Sequence, residues 1–346
     1  MYRVEDLHVR ELTPLPAPRA IQQAFPLTDA IAETVYAARE ATKRILRRED
    51  PRPLVIVGPC SIHDPAAAYA YAERLAALQL EFRERLFIVM RTYFEKPRTT
   101  TGWRGLINDP HLDGSFDMAA GLQIARELLL RINALGLPTA TEMLDPISPQ
   151  YISDLVSVTA IGARTTESQT HRALASGLSM PVGFKNSTDG SVQAAINACV
   201  SARNAHSFLG ITHEGQSAVV KTRGNPDGFV ILRGSKGRTN YDAASVAEAS
   251  AQLAAADHHP AIMVDCSHAN SNYEYARQEQ VWNDLIEQYR HGRGALIGMM
   301  VESNLVEGKQ AIATNLDQLR YGVSVTDGCL GWEATERILR QAYAAL

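Results

Sequence analysis

The feature that most limits the fold of this chain is an alternation of short apolar runs with longer segments rich in Ala and Leu. Eight runs have the continuous apolar character of buried parallel strands. They span residues 54–58, 86–90, 138–141, 160–163, 181–184, 229–232, 261–265 and 295–300. Helical stretches separate most of them, for example residues 65–80, 116–135 and 243–256. This order indicates βαβ units, and eight such units predict an α/β fold, a closed (β/α)8 barrel of the TIM type.

Two segments depart from the βα repeat. Residues 206–222 contain two strand-like runs around a polar turn, which predicts a β-hairpin inserted before the sixth barrel strand. Residues 1–50 contain a proline-rich connector at residues 13–18 and one helix that Thr28 and Asp29 cap. We expect residues 1–50 to form an arm and a helix outside the main body, and residues 51–346 to form the barrel. The alternative, an open doubly wound sheet, would require a Gly-rich dinucleotide turn that the sequence lacks.

Composition restricts the class of protein. With 346 residues, 45% apolar and 21% charged, the chain is typical of a soluble globular protein with a large core. A formal net charge of −4 gives no overall attraction to nucleic acid or membrane. The four cysteines form no CxxC pair, and no apolar run reaches the length of a membrane span. We therefore expect reduced thiols, a cytoplasmic location, and neither a nucleic-acid nor a membrane partner.

Cations follow several of the predicted strands, at the barrel end where sites of this fold lie. They are Arg91, Arg164, Lys185 and Arg233. Such cations would repel one another in a single opening unless they bind a compact polyanion, such as a phosphorylated carboxylate. Each residue taken singly is also compatible with a solvated charge at the rim of the barrel. Glu142, which follows the third strand, is compatible with an ordinary loop acid.

A second set of strand-end residues combines a thiol, an imidazole and two carboxylates. Its members are Cys60, His268, Glu302 and Asp327, the last following a ninth short strand-like run at residues 322–325. This mixture of donors suits a divalent transition metal better than Mg²⁺ or Ca²⁺, and leaves Mn²⁺, Fe²⁺, Co²⁺ and Zn²⁺ open. Ligands from separate strands are typical of a catalytic metal site. The ordinary alternatives are a buried apolar thiol, a core histidine and helix-capping acids.

Residues 91–103 leave the second strand and carry three cations, a proline and four threonines, three of them consecutive. Cations flanked by hydroxyl groups suit the binding of an oxyanion, whereas a solvated basic loop is the alternative. Residues 162–168 follow the fourth strand and can offer backbone donors to a phosphate, although an ordinary capped turn has the same pattern.

Seven segments together resemble the type I 3-deoxy-D-arabino-heptulosonate-7-phosphate (DAHP) synthases, over nearly the whole chain. They are residues 57–65, 91–103, 162–170, 181–186, 231–234, 265–270 and 301–304. The resemblance implies a metal-dependent, aldol-like condensation of phosphoenolpyruvate with erythrose 4-phosphate and water, the first step of the shikimate pathway to the aromatic amino acids. It also implies one divalent metal ion per subunit and a homo-oligomer, either a dimer or a tetramer.

The resemblance further implies roles for individual residues. The metal ligands would be Cys60, His268, Glu302 and Asp327. The phosphoenolpyruvate site would comprise Arg91, Glu142, Ala163, Arg164, Lys185 and Arg233. The erythrose 4-phosphate site would comprise Lys96, Pro97, Arg98 and Thr99. Cys60, His268 and Lys96 would be the catalytic residues. Apart from the resemblance, we expect Lys96 to give a proton to the new alkoxide, since it lies in the loop between the two substrates. Ser187 and Ser235 stand where the family usually has glycine, which affects the expected geometry of their loops.

The arm, the hairpin and residues 145–150 resemble the feedback-inhibitor pocket of this family. The matching positions are Asp6, Pro146, Gln150, Ser179 and Gly210. Gly210, together with the 145–150 loop, favours tyrosine over phenylalanine or tryptophan as the effector. The alternative is a structural hairpin and an arm that serves only oligomer contacts.

Two other functions are alternatives to this one. The related synthase that makes 3-deoxy-octulosonate 8-phosphate shares the barrel but differs in the loop for its second substrate. A non-catalytic sugar-phosphate sensor would not require complete sets of cations and metal ligands.

Overall fold

Eight parallel strands close into a barrel in the computed structural model, which describes residues 2–292 and 294–346. The strands of the chain are β1 (Leu54–Gly58), β2 (Phe87–Arg91), β3 (Thr139–Glu142), β4 (Val158–Ile161), β5 (Val182–Lys185), β6 (Ser207–Ile211), β7 (Ser217–Lys221), β8 (Gly228–Leu232), β9 (Ile262–Asp265) and β10 (Leu296–Glu302). Apart from β6 and β7, each strand pairs in parallel with the next along the chain, and β10 returns to β1. The predicted TIM barrel is confirmed.

Helices surround the barrel and follow most of its strands. They are α1 (Pro18–Ala24), α2 (Asp29–Leu46), α3 (Pro65–Phe82), α4 (Met118–Ala134), α5 (Pro149–Ile152), α6 (Gln169–Ala175), α7 (Val192–Ala202), α8 (Ala243–Ala255), α9 (Gln278–Arg290) and α10 (Trp332–Ala345). The predicted helices at 65–80, 116–135 and 243–256 correspond to α3, α4 and α8. In α3, Asp64 accepts hydrogen bonds from the amides of Ala66 and Ala67, so the helix starts where the sequence indicates.

The barrel strands are buried on both faces, which explains why they read as continuous apolar runs. In β1, Leu54 and Ile56 belong to the cluster that fills the barrel, whereas Val55 and Val57 belong to the layer beneath the helices. Met263 of β9 also belongs to the interior cluster. Side chains therefore alternate between the two cores, and the polar residues after each strand meet at the carboxyl end of the barrel.

Helix α2 lies closer to the barrel than the sequence pattern suggested. Ala41 and Ile45 belong to the interior cluster, so α2 closes the amino-terminal end of the barrel instead of lying outside the main body. Arg39 supports this position, since its guanidinium donates to the carbonyls of Ser153 and Val156 before β4. The predicted cap is present, because the Thr28 hydroxyl accepts from the amide of Ile31 at 3.4 Å. A separate role for residues 1–50 stays a prediction.

The hairpin between β5 and β8 is confirmed. Its strands β6 and β7 are antiparallel, and Gly210 is paired with Ala218. Three details differ from the sequence prediction. Helix α1 was not predicted, because Pro18 was assigned to the extended connector although proline is also common at the first position of a helix. β4 begins at Val158, two residues before the predicted start at residue 160. The ninth run, residues 322–325, is a loop with one isolated bridge between Ser324 and Lys309.

Within the part of the chain that the structure describes, no helix combines the length and the apolar character needed to cross a bilayer.

Candidate active site

A cavity of about 890 Å³ opens at the carboxyl end of the barrel. Each side chain predicted to bind either substrate lines it. These residues are Arg91, Glu142, Ala163, Arg164, Lys185 and Arg233 of the first set, and Lys96, Pro97, Arg98 and Thr99 of the second. His268 and Asp327, from the predicted metal set, also line the wall. The fold therefore brings residues that are up to about 236 positions apart to one opening, because the carboxyl ends of parallel strands share one rim.

Arg91 is the last residue of β2 and is fully buried. Its guanidinium donates to Glu302 Oε1 at 2.9 Å and to the carbonyl of Pro59 at 3.0 Å. The guanidinium carbon also lies 3.4 Å from the centre of the Tyr93 ring. Burial lowers the pKa of Arg91, but Tyr93 and Glu302 outweigh this and raise it above its ordinary value. The cation is thus held rigidly in the wall of the cavity.

The other cations of the cavity differ in how they are compensated. Lys185 Nζ lies 2.7 Å from Asp265 Oδ2, and both side chains are buried. Within the described residues, by contrast, Arg164 and Arg233 have no carboxylate oxygen within 4.0 Å. A site with uncompensated cations beside compensated ones attracts an anion that carries more than one charge.

Two strand ends meet where the predicted subsites adjoin. The Nε of Arg164 donates to the hydroxyl of Thr99 at 3.1 Å, which joins the turn after β4 to the loop after β2. On the other side of this loop, Lys96 Nζ lies 3.2 Å from Cys60 Sγ. Burial lowers the pKa of Lys96, but the neighbouring Cys60 and Glu302 raise it above its ordinary value, so its amine is protonated.

Three of the four predicted metal ligands form a compact cluster. The ligand atoms of Cys60, Glu302 and Asp327 all lie within 4.8 Å of one another, and Cys60 Sγ is 3.5 Å from Asp327 Oδ2. His268 adjoins the cluster, with Nε2 3.9 Å from Glu302 Oε1. The orientation of Glu302 is fixed by Ser267, whose hydroxyl donates to Oε2 at 2.9 Å. A thiol, two carboxylates and a nearby imidazole fit a divalent transition metal.

Burial and neighbouring charges shift the pKa values of the cluster residues in different directions. Burial and then the charge of Glu302 raise the pKa of Cys60 to about 11, so the thiol must lose a proton when it binds a cation. Burial raises the pKa of Glu302, but His268 and Arg91 lower it by more, and the net shift is downward. Burial also raises the pKa of Asp327, but the charges of Lys96 and His268 outweigh this effect, so the pKa is lowered. Both carboxylates are therefore ionised at neutral pH.

Glu142 ends β3 and points into the same cavity. Its Oε1 is buried, and in the described part of the chain it has no hydrogen-bond partner. Gly162 permits this position, because a Cβ at that residue would collide with the carboxylate. A buried acceptor without a protein partner is suited to contact a ligand or an ordered water.

Sequence reasoning did not assign several residues that shape the cavity. Tyr93, Thr188, Lys236 and Tyr273 line it. The position of Tyr93 could have been predicted from the sequence, since it lies two residues after Arg91 and so faces the same way in an extended segment. The positions of Thr188 and Tyr273 could not be predicted in this way, because they depend on the conformations of the loops after β5 and β9.

The residues predicted for an effector lie on elements that α1 connects. Gln22 of α1 donates to the carbonyl of Gln150 at 3.1 Å, and Arg19 forms a 2.6 Å ion pair with Glu214 in the hairpin turn. The hairpin also contacts the end of α6, where Ser176 and Thr222 share a 2.7 Å hydrogen bond three residues before Ser179.

The remaining effector positions differ in their surroundings. Gly210 faces Val220, where a Cβ would lie 2.7 Å from Val220 Cγ2. Pro146 lies in the same loop as Gln150, between β3 and α5. Asp6 is exposed, and its carbonyl accepts from Arg3 and Val9 within the arm. The structure thus connects the loop, the hairpin and α1, while the described contacts of Asp6 stay within the arm.

Comparisons with known proteins agree over most of the chain. The model of the DAHP synthetase I family matches residues 32–340. The Tyr-sensitive phospho-2-dehydro-3-deoxyheptonate aldolase of Escherichia coli (strain K12) is 52% identical over 343 residues, 99% of this chain and 96% of that protein. The Phe-sensitive enzyme of the same strain is 54% identical over 340 residues, 98% of this chain and 97% of that protein. The solved structure of a phospho-2-dehydro-3-deoxyheptonate aldolase from Francisella tularensis SCHU S4 has a TM-score of 0.95 and 45% identity, covering 97% of this chain and 98% of that one.

Proposed function

The chain belongs to the DAHP synthetase I family of enzymes, and from this premise we propose that it condenses phosphoenolpyruvate with erythrose 4-phosphate and water, giving DAHP and inorganic phosphate. The observation that carries the proposal is the cavity in which the cation set lies directly against the Cys60, Glu302 and Asp327 cluster. Neither the 3-deoxy-octulosonate 8-phosphate synthase nor the sugar-phosphate sensor has an observation of its own in its favour.

Phosphoenolpyruvate takes the inner part of the cavity in this proposal. Arg164 and Arg233 lack carboxylate partners among the described residues, so their positive charges are available to attract an anion. Arg91 and Lys185 are already held by acids, and they orient the substrate as fixed donors. Ala163 contributes its backbone beside Arg164, and Glu142 contacts the substrate through a water.

Erythrose 4-phosphate takes the outer part, beside the loop after β2. Arg98 and Thr99 hold its phosphate, and Pro97 fixes the turn between Lys96 and Arg98. The bond from Arg164 to Thr99 supports this arrangement, since it joins the two subsites and keeps the reacting ends of both substrates close.

Cys60, His268, Glu302 and Asp327 hold one divalent cation, drawn from Mn²⁺, Fe²⁺, Co²⁺ or Zn²⁺. When bound, the cation supplies Lewis acidity at the aldehyde oxygen. C3 of the enolpyruvate attacks the aldehyde carbon, and Lys96, protonated beside Cys60, donates a proton to the alkoxide oxygen. Water then adds at C2, and inorganic phosphate leaves by cleavage of the C–O bond.

Regulation by an aromatic amino acid forms part of the proposal, with tyrosine as the effector. Identity alone does not select the effector, since the Tyr-sensitive and Phe-sensitive relatives are 52% and 54% identical. The choice rests on Gly210 and the 145–150 loop, and the site would include Asp6, Pro146, Gln150 and Ser179. Titration with each aromatic amino acid tests the choice of effector. The proposal is supported if tyrosine gives half-inhibition at the lowest concentration, and contradicted if phenylalanine does.

We also propose a homo-oligomer, a dimer or a tetramer, in which the arm and hairpin contact a partner subunit. Large apolar side chains are exposed in both segments, with Tyr2 95% and Leu12 80% exposed in the arm and Leu209 84% exposed in the hairpin. Apolar groups concentrated in this way mark surfaces that bind another chain.

The activity is tested by release of inorganic phosphate from the purified chain. Release should require both substrates and should stop with a chelator, and arabinose 5-phosphate should not replace erythrose 4-phosphate. Cys60→Ala should abolish activity, whereas the matched control Cys199→Ala, another buried thiol located in α7, should retain it. Activity that survives both the chelator and Cys60→Ala would contradict the metal-dependent reaction.

A further inference from the structure

Asp265 is a buried acid that belongs neither to the metal ligands nor to the substrate-binding residues assigned above. It is the last residue of β9 and has no exposed surface. Met263, two residues earlier, points into the barrel, so Asp265 points the same way at the end of the strand. The fold therefore places this carboxylate beneath the cavity, between β8 and β10, against Lys185 and His268, which line the cavity wall.

One oxygen of Asp265 lies close to two nitrogen-bearing side chains. Oδ2 accepts a hydrogen bond from Lys185 Nζ at 2.7 Å. His268 Nδ1 lies 2.9 Å from the same oxygen without hydrogen-bond alignment, and this buried nitrogen has no hydrogen-bond partner in the described part of the chain. The other oxygen, Oδ1, accepts from the amide of Ser267 at 2.9 Å. The main-chain carbonyl of Asp265 accepts from Asn270 at 2.9 Å, which fixes the turn that carries His268. The carboxylate is thus immobile, and its free acceptor capacity is concentrated on one atom.

The two partners of Oδ2 belong to different halves of the proposed site. Lys185 faces the phosphoenolpyruvate subsite, and His268 directs Nε2 toward Glu302 of the metal cluster, at 3.9 Å. A carboxylate beside one imidazole nitrogen favours the proton on that nitrogen and leaves the other nitrogen for a metal. The same carboxylate limits where the Lys185 amine can lie.

Resting on the proposed function, we propose that Asp265 is a positioning residue that couples metal binding to phosphoenolpyruvate binding through the oxygen shared by Lys185 and His268. An anion that draws Lys185 Nζ toward itself weakens the contact between Lys185 and Asp265. The carboxylate of Asp265 then interacts more strongly with His268. The imidazole then becomes a stronger ligand, and the metal binds more tightly. Because linkage is reciprocal, the metal tightens the binding of phosphoenolpyruvate by the same factor.

The test measures both affinities directly and does not depend on turnover. Co²⁺ is titrated into the metal-free full-length chain with and without phosphoenolpyruvate, and binding is followed by the visible absorption of the thiolate complex. Phosphoenolpyruvate affinity is measured by calorimetry with and without Co²⁺. In the native chain we expect phosphoenolpyruvate to tighten Co²⁺ binding by about 5-fold or more.

Asp265→Asn keeps the shape of the side chain but removes the charge. Co²⁺ affinity should fall by about 10- to 100-fold, as expected for loss of a carboxylate behind a metal-binding histidine. Phosphoenolpyruvate affinity should fall as well, and the coupling between the two ligands should disappear. Asp154→Asn is the matched control, since Asp154 pairs with Arg126 away from the cavity. It should lower the melting temperature without changing either affinity.

A second variant, Lys185→Met, distinguishes a positioning role of Asp265 from general disruption of the site. It also tests the proposal if Asp265→Asn does not fold. It leaves Oδ2 to His268 alone, so Co²⁺ affinity should equal or exceed that of the native chain while phosphoenolpyruvate affinity falls. Weakening of Co²⁺ binding by Lys185→Met would overturn the inference, and so would an Asp265→Asn variant with native coupling. A native chain that binds neither Co²⁺ nor phosphoenolpyruvate would instead refute the proposed function.

Discussion

Glu95 directly precedes Lys96, yet its side chain points away from the cavity into the protein. It is buried, and its carboxylate accepts from the hydroxyl of Ser148 at 2.9 Å and from the amide of Asp145 at 3.3 Å. Burial raises its pKa, the Ser148 hydrogen bond lowers it, and the negative charge of Asp145 raises it again. The result is a rise from the ordinary value of 4.5 to about 8. At neutral pH the folded chain therefore keeps Glu95 protonated, while the unfolded chain ionises it.

The sign of the pH effect follows from this difference. Below pH 4.5 both states are protonated and the group does not oppose folding. As the pH rises toward 8, the unfolded state gains stability by ionising while the folded state cannot, so the free energy of unfolding falls. Each pH unit within this interval is worth about 1.4 kcal/mol, and the whole interval is worth on the order of 4–5 kcal/mol. Above pH 8 the loss levels off.

Glu95→Gln removes the titrating group and keeps its size. Relative to the native chain, the variant should gain about 1.4 kcal/mol of unfolding free energy for each pH unit from 5.5 to 7.5. Urea unfolding at fixed protein concentration, measured at pH 5.5, 6.5, 7.5 and 8.5, gives the difference. Glu73→Gln, an exposed glutamate on α3, is the control and should follow the native profile. Parallel pH profiles for Glu95→Gln and the native chain would refute the reasoning.

Three further predictions concern other parts of the molecule. Lys96→Met should lower kcat by about 10²- to 10⁴-fold while Co²⁺ still binds, because a proton donor is lost and the ligand set remains; full turnover would remove Lys96 from that role. Arg126→Met should cost about 3 kcal/mol in urea unfolding, because the buried guanidinium bonds both oxygens of Asp154 and the carbonyls of Phe25 and Tyr151; an unchanged midpoint would contradict this. Deletion of residues 2–12 should reduce the oligomer mass by light scattering, and an unchanged mass would show that the arm makes no essential contact.

The barrel was predictable because its strands are buried on both faces. Continuous apolar runs such as residues 54–58 have few alternative structures when Ala-rich helices separate them. Helix α2 was found, but its position was not. Its apolar stripe, with Ile31, Val35 and Ile45, shows only that one face is buried and does not say against which surface. The ninth run was assigned as a strand from its apolar residues alone, and no free edge exists beside it in a closed barrel.

The residues of the site were predictable for a related reason. In a parallel barrel, position at a strand end is enough to place a side chain at the shared opening, so Arg91, Glu142 and Lys185 could be assigned without coordinates. Their partners could not. Asp265 lies 80 residues from Lys185, and the choice between a contact with Lys185, with His268 or with both depends on distances of less than an ångström. Glu95 was missed because the sequence places it within a loop read as basic, whereas its side chain enters the core.

The contacts across the cavity show that the anion-binding set and the metal-ligand set are one electrostatic unit. Arg91 bonds Glu302, Lys96 contacts Cys60, and Asp265 joins Lys185 to His268. Three buried cations, Arg91, Lys96 and Lys185, thus have partners that are metal ligands or contact one, whereas the buried Arg233 has no carboxylate partner among the described residues. These pairs offset part of the cost of burying several like charges in one barrel. A consequence is that binding either substrate or metal exchanges partners within these pairs. Loss of activity alone therefore does not distinguish a metal ligand from a substrate-binding residue, whereas separate Co²⁺ and phosphoenolpyruvate titrations of each variant do.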